Sequence, residues 1–562
     1  MLHLDRHDAW VLTAVLLLFV LSRLAWAYGN LSAATYWEDE YRWAAALELL
    51  SGPAHPLLDY QADHYQGGSL VMILLITGLF QVIGESPLVL KMAAISFGAL
   101  TLTLLYLVGR RGFGRPTAIC VTVAYLLGPP LVAVSGLSVM GSHGESVVFS
   151  LLQVLIFFRL LVQEGRSNRT WFAFGLVSGL GLWFCYTSGL SLAACGLAWL
   201  ALEKVPKWPE LRSALVGGFV GLIPWFAYNV ERGFVGLGRI AEVLGMSRAP
   251  DPWLPQTLTE KTTLLLFQDW PVGLLFPFPE TRPDGLMAFA LVGFAVPLAV
   301  ALLASVWRVL IRGRRLRFPA DVPGQDTVAY ERRELVFLIY GLLWLLFFLS
   351  SSFTIDPYKG AHEYRLFLPP AILLLLPAAR SAALGLRSPG LARGLTIIGL
   401  SCFLILSTVG TIAAATRPLS QGAFRGHFGH MVRGLLLHRK YETTLAEAVS
   451  VAKTIDQRRK RMAVFRGIGW GVAFRFEEGG EIETVHAAIG QIPQQDRAAF
   501  RSGLRWAARQ RKVEEEERLR AGTARIDSAL LVSRFDTLLD LTGGPPPQRR
   551  PRSRLGRPPH LR

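Results

Sequence analysis

The sequence lacks the signatures of an enzyme that handles soluble nucleotides. It contains no Walker loop, no dinucleotide fingerprint and no Asp-x-Asp pair. Without them, ATP and nucleotide-sugar chemistry have no support. The alternating glycines of Arg466-Gly467-Ile468-Gly469-Trp470-Gly471 sit in a neighbourhood that does not suit a phosphate loop. Cysteine is equally scarce: 4 in 562 residues, Cys120, Cys185, Cys195 and Cys402, each inside an apolar stretch. No two form a C-x-x-C pair, which excludes a disulfide framework and a cysteine-based zinc site. Charge is sparse through most of the chain and returns only near its end.

Long apolar runs fill the space. The chain is 52% hydrophobic with a mean hydropathy of +0.37, and a membrane span needs ~20 such residues. Runs fall near 9–27, 88–108, 117–135, 145–162, 171–187, 189–202, 214–230, 286–310, 335–353, 366–384 and 394–416. A further run, 69–84, makes a twelfth span if it crosses. The net charge of +17 is dispersed over short loops and the tail, the distribution expected of topology signals rather than of a nucleic-acid surface. Arg110, Arg111, Arg115, Arg166, Arg169, Arg332, Arg333, Arg387 and Arg393 lie in those loops. All become cytoplasmic only if 69–84 does not cross. The sequence therefore predicts an all-α polytopic membrane protein with eleven spans and a juxtamembrane helix at 69–84. The N-terminus is cytoplasmic, and the first run is a transmembrane helix rather than a cleaved signal peptide. Residues 1–416 form this domain, 417–545 a mainly helical soluble domain on the non-cytoplasmic side, and 546–562 a disordered basic tail.

That topology gathers the polar residues at one interface. Directly after the first span stands Tyr36-Trp37-Glu38-Asp39-Glu40-Tyr41-Arg42-Trp43. His64, His143, Glu145, Asn229, Tyr364 and Arg365 fall on the same side. Asp39 and Glu40 are neighbours, so a helix points them about 100° apart. One can serve as a base while the other binds a cation, an acceptor or an arginine. Arg42 offers a phosphate fork and Trp43 a flat surface. The competing view is an interfacial aromatic belt.

Asp39-Glu40-Tyr41-Arg42-Trp43 resembles the D-E-x-R-[YW] signature of GT-C glycosyltransferases, among them protein O-mannosyltransferases and bacterial aminoarabinose transferases. The likeness continues in order. His64-Tyr65-Gln66-Gly67-Gly68-Ser69 stands where the family has H-P-P-L, Lys91 at the place of a common arginine, Gly221 to Asn229 as a G-x-x-P-W-x-x-Y-N helix end, and Tyr364-Arg365-Leu366-Phe367-Leu368-Pro369-Pro370 as an R-Y-x-x-P segment. Glu145 replaces a frequent aspartate, and Pro-Pro is missing after His64.

The resemblance implies a GT-C-like bundle in a bacterial membrane, with a non-cytoplasmic active site. A sugar passes, with inversion, from a polyprenyl-phosphate donor to a lipid, polysaccharide or protein hydroxyl. In that reading Asp39 is the base and Glu40 its catalytic neighbour. Arg42, Trp43, Lys91, Tyr364 and Arg365 address the donor, and His64, His143, Glu145 and Asn229 the acceptor or the surrounding frame. A divalent ion held by Glu40 is compatible but not required, and membrane lipid is an expected partner. A helix-dipole carboxylate is the plainer account of Glu145, and Asn229 suits either a helix exit or sugar hydroxyls. A transporter, or a scaffold acting through the C-terminal domain, are the other classes; the spans show no internal repeat of the transporter kind. Within 417–545, Phe465 to Trp470 partly recurs as Phe500 to Trp506, which suggests stacked helix pairs.

Overall fold

The structure is a computed structural model of the whole chain. It describes residues 5–29, 37–52, 56–61, 66–162, 166–203, 205–243, 257–265, 270–276, 293, 296–313, 325–351, 360–416, 433–434, 444–477, 482–520 and 528–541. His64 and the tail 546–562 lie outside these residues. The chain divides into two compact units, Met1–Ala423 and Phe424–Arg562. Among the described residues both are helical and no strand occurs.

In the first unit, α1 (Arg6–Gly29), α2 (Trp37–Leu50), α3 (Gly68–Ile83) and α4 (Pro87–Phe113) set the frame. Ser86 starts α4 by accepting the Val89 N–H, with Pro87 preset for the first turn. Arg110 and Arg115 both bind Asp8, at 2.9 and 2.8 Å, and Tyr106 adds a hydrogen bond at 2.8 Å. Farther along, Phe19 packs on Gly98. The pairs 8–110 and 19–98 run in opposite senses, so α1 and α4 are antiparallel neighbours. Had α3 crossed the bilayer, α4 would end opposite the start of α1. It ends beside it, the arrangement expected of a juxtamembrane α3. At 16 residues, α3 spans only about 24 Å at 1.5 Å per residue.

The basic loops meet at this same end. Arg333 donates to the carbonyls of Arg111 and Gly112 at 2.9 and 3.3 Å. Arg332 and Arg166 share Glu203, at 2.7 and 2.6 Å. Arg308 binds the fully buried Glu334 at 2.7 Å, and Arg380 binds it too. One network of ion pairs and carbonyls thus ties the basic ends of the bundle together.

Not every apolar run is one straight span. The run 117–135 divides into α5 (Arg115–Leu126) and α6 (Pro130–Ser135), because Pro129 and Pro130 lack the N–H groups that a continuing helix needs. After α7 (His143–Leu160), α8 (Asn168–Phe184), α9 (Ser188–Leu202) and α10 (Trp208–Val230) follow. Glycines let α8 and α10 pack backbone to backbone: a Cβ on Gly175, Gly179, Gly217 or Gly221 would overlap main-chain atoms of the facing helix. The short α11 (Val235–Val243), α12 (Leu258–Leu264) and α13 (Trp270–Leu275) precede α14 (Val296–Gly313) and α15 (Gln325–Ser350). A 3₁₀ segment, Gly360–Phe367, leads into α16 (Leu368–Leu373), α17 (Leu375–Arg387) and α18 (Leu391–Thr416). Among the described residues six helices are long and apolar enough to cross a membrane, and a seventh if the pair around Leu374, bent by 41°, is one span. The protein is an integral membrane protein. Of the other expected spans, α5, α8, α9 and α17 run 12, 17, 15 and 13 residues.

The second unit has its own core around Phe465, Ile468, Phe500 and Leu504. Its helices are α19 (Leu445–Lys453), α20 (Arg458–Glu477), α21 (Ile482–Gln491), α22 (Arg497–Arg520) and α23 (Ser528–Leu541). The two sequence copies occupy α20 and α22, one helix each. A Cβ on Gly469 would overlap the Phe500 carbonyl, and one on Gly503 the Arg466 carbonyl. The repeated glycines therefore bring these two helices into direct backbone contact.

Candidate active site

Asp39 lies in the first turn of α2 and is 1% exposed. Its Oδ2 pairs with Lys91 Nζ at 2.7 Å, and its Oδ1 accepts the Val139 N–H. One turn on, Arg42 donates to the Met140 carbonyl. The base candidate and its arginine thus both grip the loop between α6 and α7. Glu145 holds that loop from the other side. Its Oε1 accepts the N–H groups of Met140 and Gly141 at 2.8 and 3.0 Å, and its Oε2 that of Ser142 at 3.2 Å. With Ser142 as N-cap this completes a capping box at the start of α7.

Gly141 is the pivot of the loop. Its φ of +61° belongs to the left-handed region that glycine enters without strain. A side chain there would strike Gly68, the first residue of α3. The start of α3 is pinned further by Gly67, whose N–H donates to the Trp183 carbonyl at 2.6 Å. Trp43 reaches the other end of α3: its Nε1 donates to Glu85 at 3.2 Å and its ring meets Phe80 edge-on at 5.9 Å. Helix α3 thus lies between two anchors that both lead back to residues 42 and 43 of α2.

The remaining candidates divide. His143 is buried, with Nδ1 3.4 Å from Thr187 Oγ1 and 3.6 Å from Cys185 Sγ; its ring stands edge-on to Tyr186 at 5.7 Å. Asn229 is fully buried and spends its amide on backbone, donating to Trp225 O at 3.0 Å and accepting from Gly236 N–H at 2.8 Å. Both contacts close the helix exit at this point. Tyr364 packs its ring over Gly273. Arg365 is half-buried on a segment that packs against α6, α7 and α16. Gly144 touches Leu368, so the start of α7 joins the two halves of the site. A pocket lies between α4, α6, α7 and α16, walled by Thr101, Tyr125, Ser138, Glu145 and Leu368. Ser138 precedes the loop residue that binds Asp39, and Leu368 follows Arg365 by three positions.

Sequence reasoning missed the loop Ser138–Ser142 and the Cys185–Thr187 turn, because backbone donors leave no residue-type signal. Gly141 before a Ser-x-x-Glu box was the available hint. Among the described residues no three His, Cys, Asp or Glu side chains gather to hold a metal ion.

Residues 68–228, which include Lys91, His143 and Glu145, match the family described as dolichyl-phosphate-mannose-protein mannosyltransferase. No curated protein matches this chain. Among solved structures, an oligosaccharyltransferase from Archaeoglobus fulgidus in the apo form is similar at 12% identity and a TM-score of 0.43, over 76% of this chain and 57% of that one. ArnT from Cupriavidus metallidurans, bound to undecaprenyl phosphate, is similar at 14% and 0.47, over 89% and 80%. The chain thus spans little more than half the length of the archaeal enzyme.

Proposed function

We propose that this mannosyltransferase-family chain is a membrane glycosyltransferase of GT-C type that moves a sugar from a polyprenyl-phosphate-linked donor to a hydroxyl acceptor at the Asp39 end of the bundle. The observation that carries the reading is the buried Asp39 carboxylate, gripped by Lys91 and the loop before α7, within and beside the family-matched segment. The basic network marks the opposite end, so the positive-inside rule puts that end in the cytoplasm and Asp39 on the outer side.

In this reaction the acceptor oxygen attacks the anomeric carbon from the face opposite the phosphate, and the carbon–oxygen bond to phosphate breaks, with inversion. Asp39 takes the hydroxyl proton. The departing polyprenyl phosphate gains negative charge, which a fixed cation stabilises. Arg365, Arg42 and Lys91 are the candidates for that cation. Trp43 and Tyr364 shape the donor side, and His143 and Glu145 frame the acceptor side. No step requires a metal ion, and Glu40 is the carboxylate that would hold one. The acceptor is a lipid, glycan or protein.

Asp39→Asn keeps the size of the side chain and one of its two acceptor oxygens while removing the base. Mass analysis of glycolipids and glycoproteins from cells carrying this variant at normal membrane abundance should show one product missing. An unchanged glycan profile would sink the reading.

A further inference from the structure

The second unit presents a surface that the sugar-transfer reading leaves unused. Helix α20 carries no acidic residue from Arg458 to Phe476, and α22 none from Arg497 to Val513. Each stretch holds six Lys or Arg. On α22, Arg501, Arg505 and Arg509 recur every four residues and so share one helix face. The opposite face, with Ala499, Phe500, Leu504 and Ala507, is buried in the core. Arg501 is exposed, Arg505 and Arg509 half-exposed, and Arg466 is exposed on α20. Trp506 is 41% exposed and meets Trp470 of α20 edge-on at 4.7 Å, so an indole pair joins the two basic faces. Arg461 pairs with Asp496 and Lys512 with Asp536.

We infer that this face of α20 and α22 docks on anionic phospholipid headgroups. Charge complementarity is one reason: each cation near an anionic bilayer adds about 1 kcal/mol, or roughly fivefold in binding. The paired indoles are a second, because tryptophan settles at headgroup depth. Chain connectivity is the third. The last apolar helix ends at Thr416 and the described part of this unit begins at Arg433, a separation that holds that point within roughly 60 Å of the helix end even fully extended. A soluble polyanion offers the same charge but gives the indoles no apolar layer to enter.

The test uses the full chain in lipid nanodiscs of phosphatidylcholine alone, or with an equal part of phosphatidylglycerol. Ser502→Cys, exposed on the basic face, is labelled with a membrane-impermeant maleimide, against the parent chain as control for native cysteines. Labelling should slow at least fivefold in the anionic discs and recover at 0.5 M NaCl, where screening is within a few ångströms. It should also recover in the Arg501→Glu, Arg509→Glu background. Thr537→Cys, exposed on α23, should label equally in both lipids and reports that the unit is folded. Equal rates at Ser502→Cys in the two lipids would overturn the inference. So would slowing that survives charge reversal, or slowing produced only by an added soluble polyanion.

Discussion

The ion pair of Lys91 with Asp39 makes a sharp demand on stability as well as on chemistry. Lys91→Met removes the cation and leaves a carboxylate that is 1% exposed and still accepts from the Val139 N–H. Breaking a buried pair from one side costs ~3–5 kcal/mol, because the surviving charge stays desolvated. Lys91→Arg keeps the charge but needs room for a larger fork, and should lose less. Asp39→Asn should cost a comparable amount, since it leaves the Lys91 ammonium, 5% exposed, buried without the Asp39 charge. The informative variant is the double one. With both charges gone, Lys91→Met adds little to Asp39→Asn, so the coupling between the two substitutions should reach ~2 kcal/mol or more. The assay is thermal unfolding of the four purified proteins in one detergent, alongside transfer activity. The double variant should be more stable than Lys91→Met alone and equally inactive. Additive losses, with coupling below ~0.5 kcal/mol, would mean that the pair does not exist in the membrane-embedded protein, and the placement of Asp39 would fall with it.

Three further outcomes follow from the geometry. Gly141→Ala places a Cβ against Gly68 at a φ of +61°, so it should cost ~2 kcal/mol or more and depress activity by shifting the loop that holds Asp39; full activity at normal abundance would contradict the tight approach. Cysteines introduced at Gly114 and at Ser51 should label from opposite sides of intact spheroplasts, and labelling from one side would mean that α3 crosses. Lys512 bonds Asp536, which raises its pKa above the ordinary lysine value, with Glu516 adding to the effect. A raised folded-state pKa stabilises fully below the unfolded value of ~10.4 and is lost as pH climbs through the higher folded one. Lys512→Met should therefore cost ~0.5 kcal/mol at neutral pH, as a partly exposed pair does, and nothing near pH 12, read from hydrogen exchange in residues 528–541.

The two ends of the bundle were legible in the sequence to different depths. Apolar runs and arginine positions are properties of residue type, so the basic end could be read directly, and the Asp8 contacts with Arg110 and Arg115 express that pattern in space. The breaks at Pro129-Pro130 and at Leu374 were harder, since hydropathy sums over a window and does not register a missing N–H. The polar end was legible as a set of residues but not as an arrangement. Lys91 stands at a place that suggests phosphate, and only its packing against α2 shows that a carboxylate already faces it. Asn229 read equally as cap or ligand until both ends of its amide were seen on backbone.

The same distinction bears on how the site is built. Asp39, Arg42 and Glu145 all bind the peptide groups of Val139, Met140, Gly141 and Ser142. Four consecutive residues thus carry the register between α2 and α7 through their main chain. What cannot vary is the backbone path, and that path depends on Gly141 bending against Gly68. A site held in this way tolerates changes of pocket residue, such as those that select one acceptor over another, while the carboxylate stays fixed. Substitutions at Ser138 or Thr101, on the pocket wall, should accordingly alter acceptor preference with little loss of donor turnover, whereas any change that moves Gly141 should lower both together.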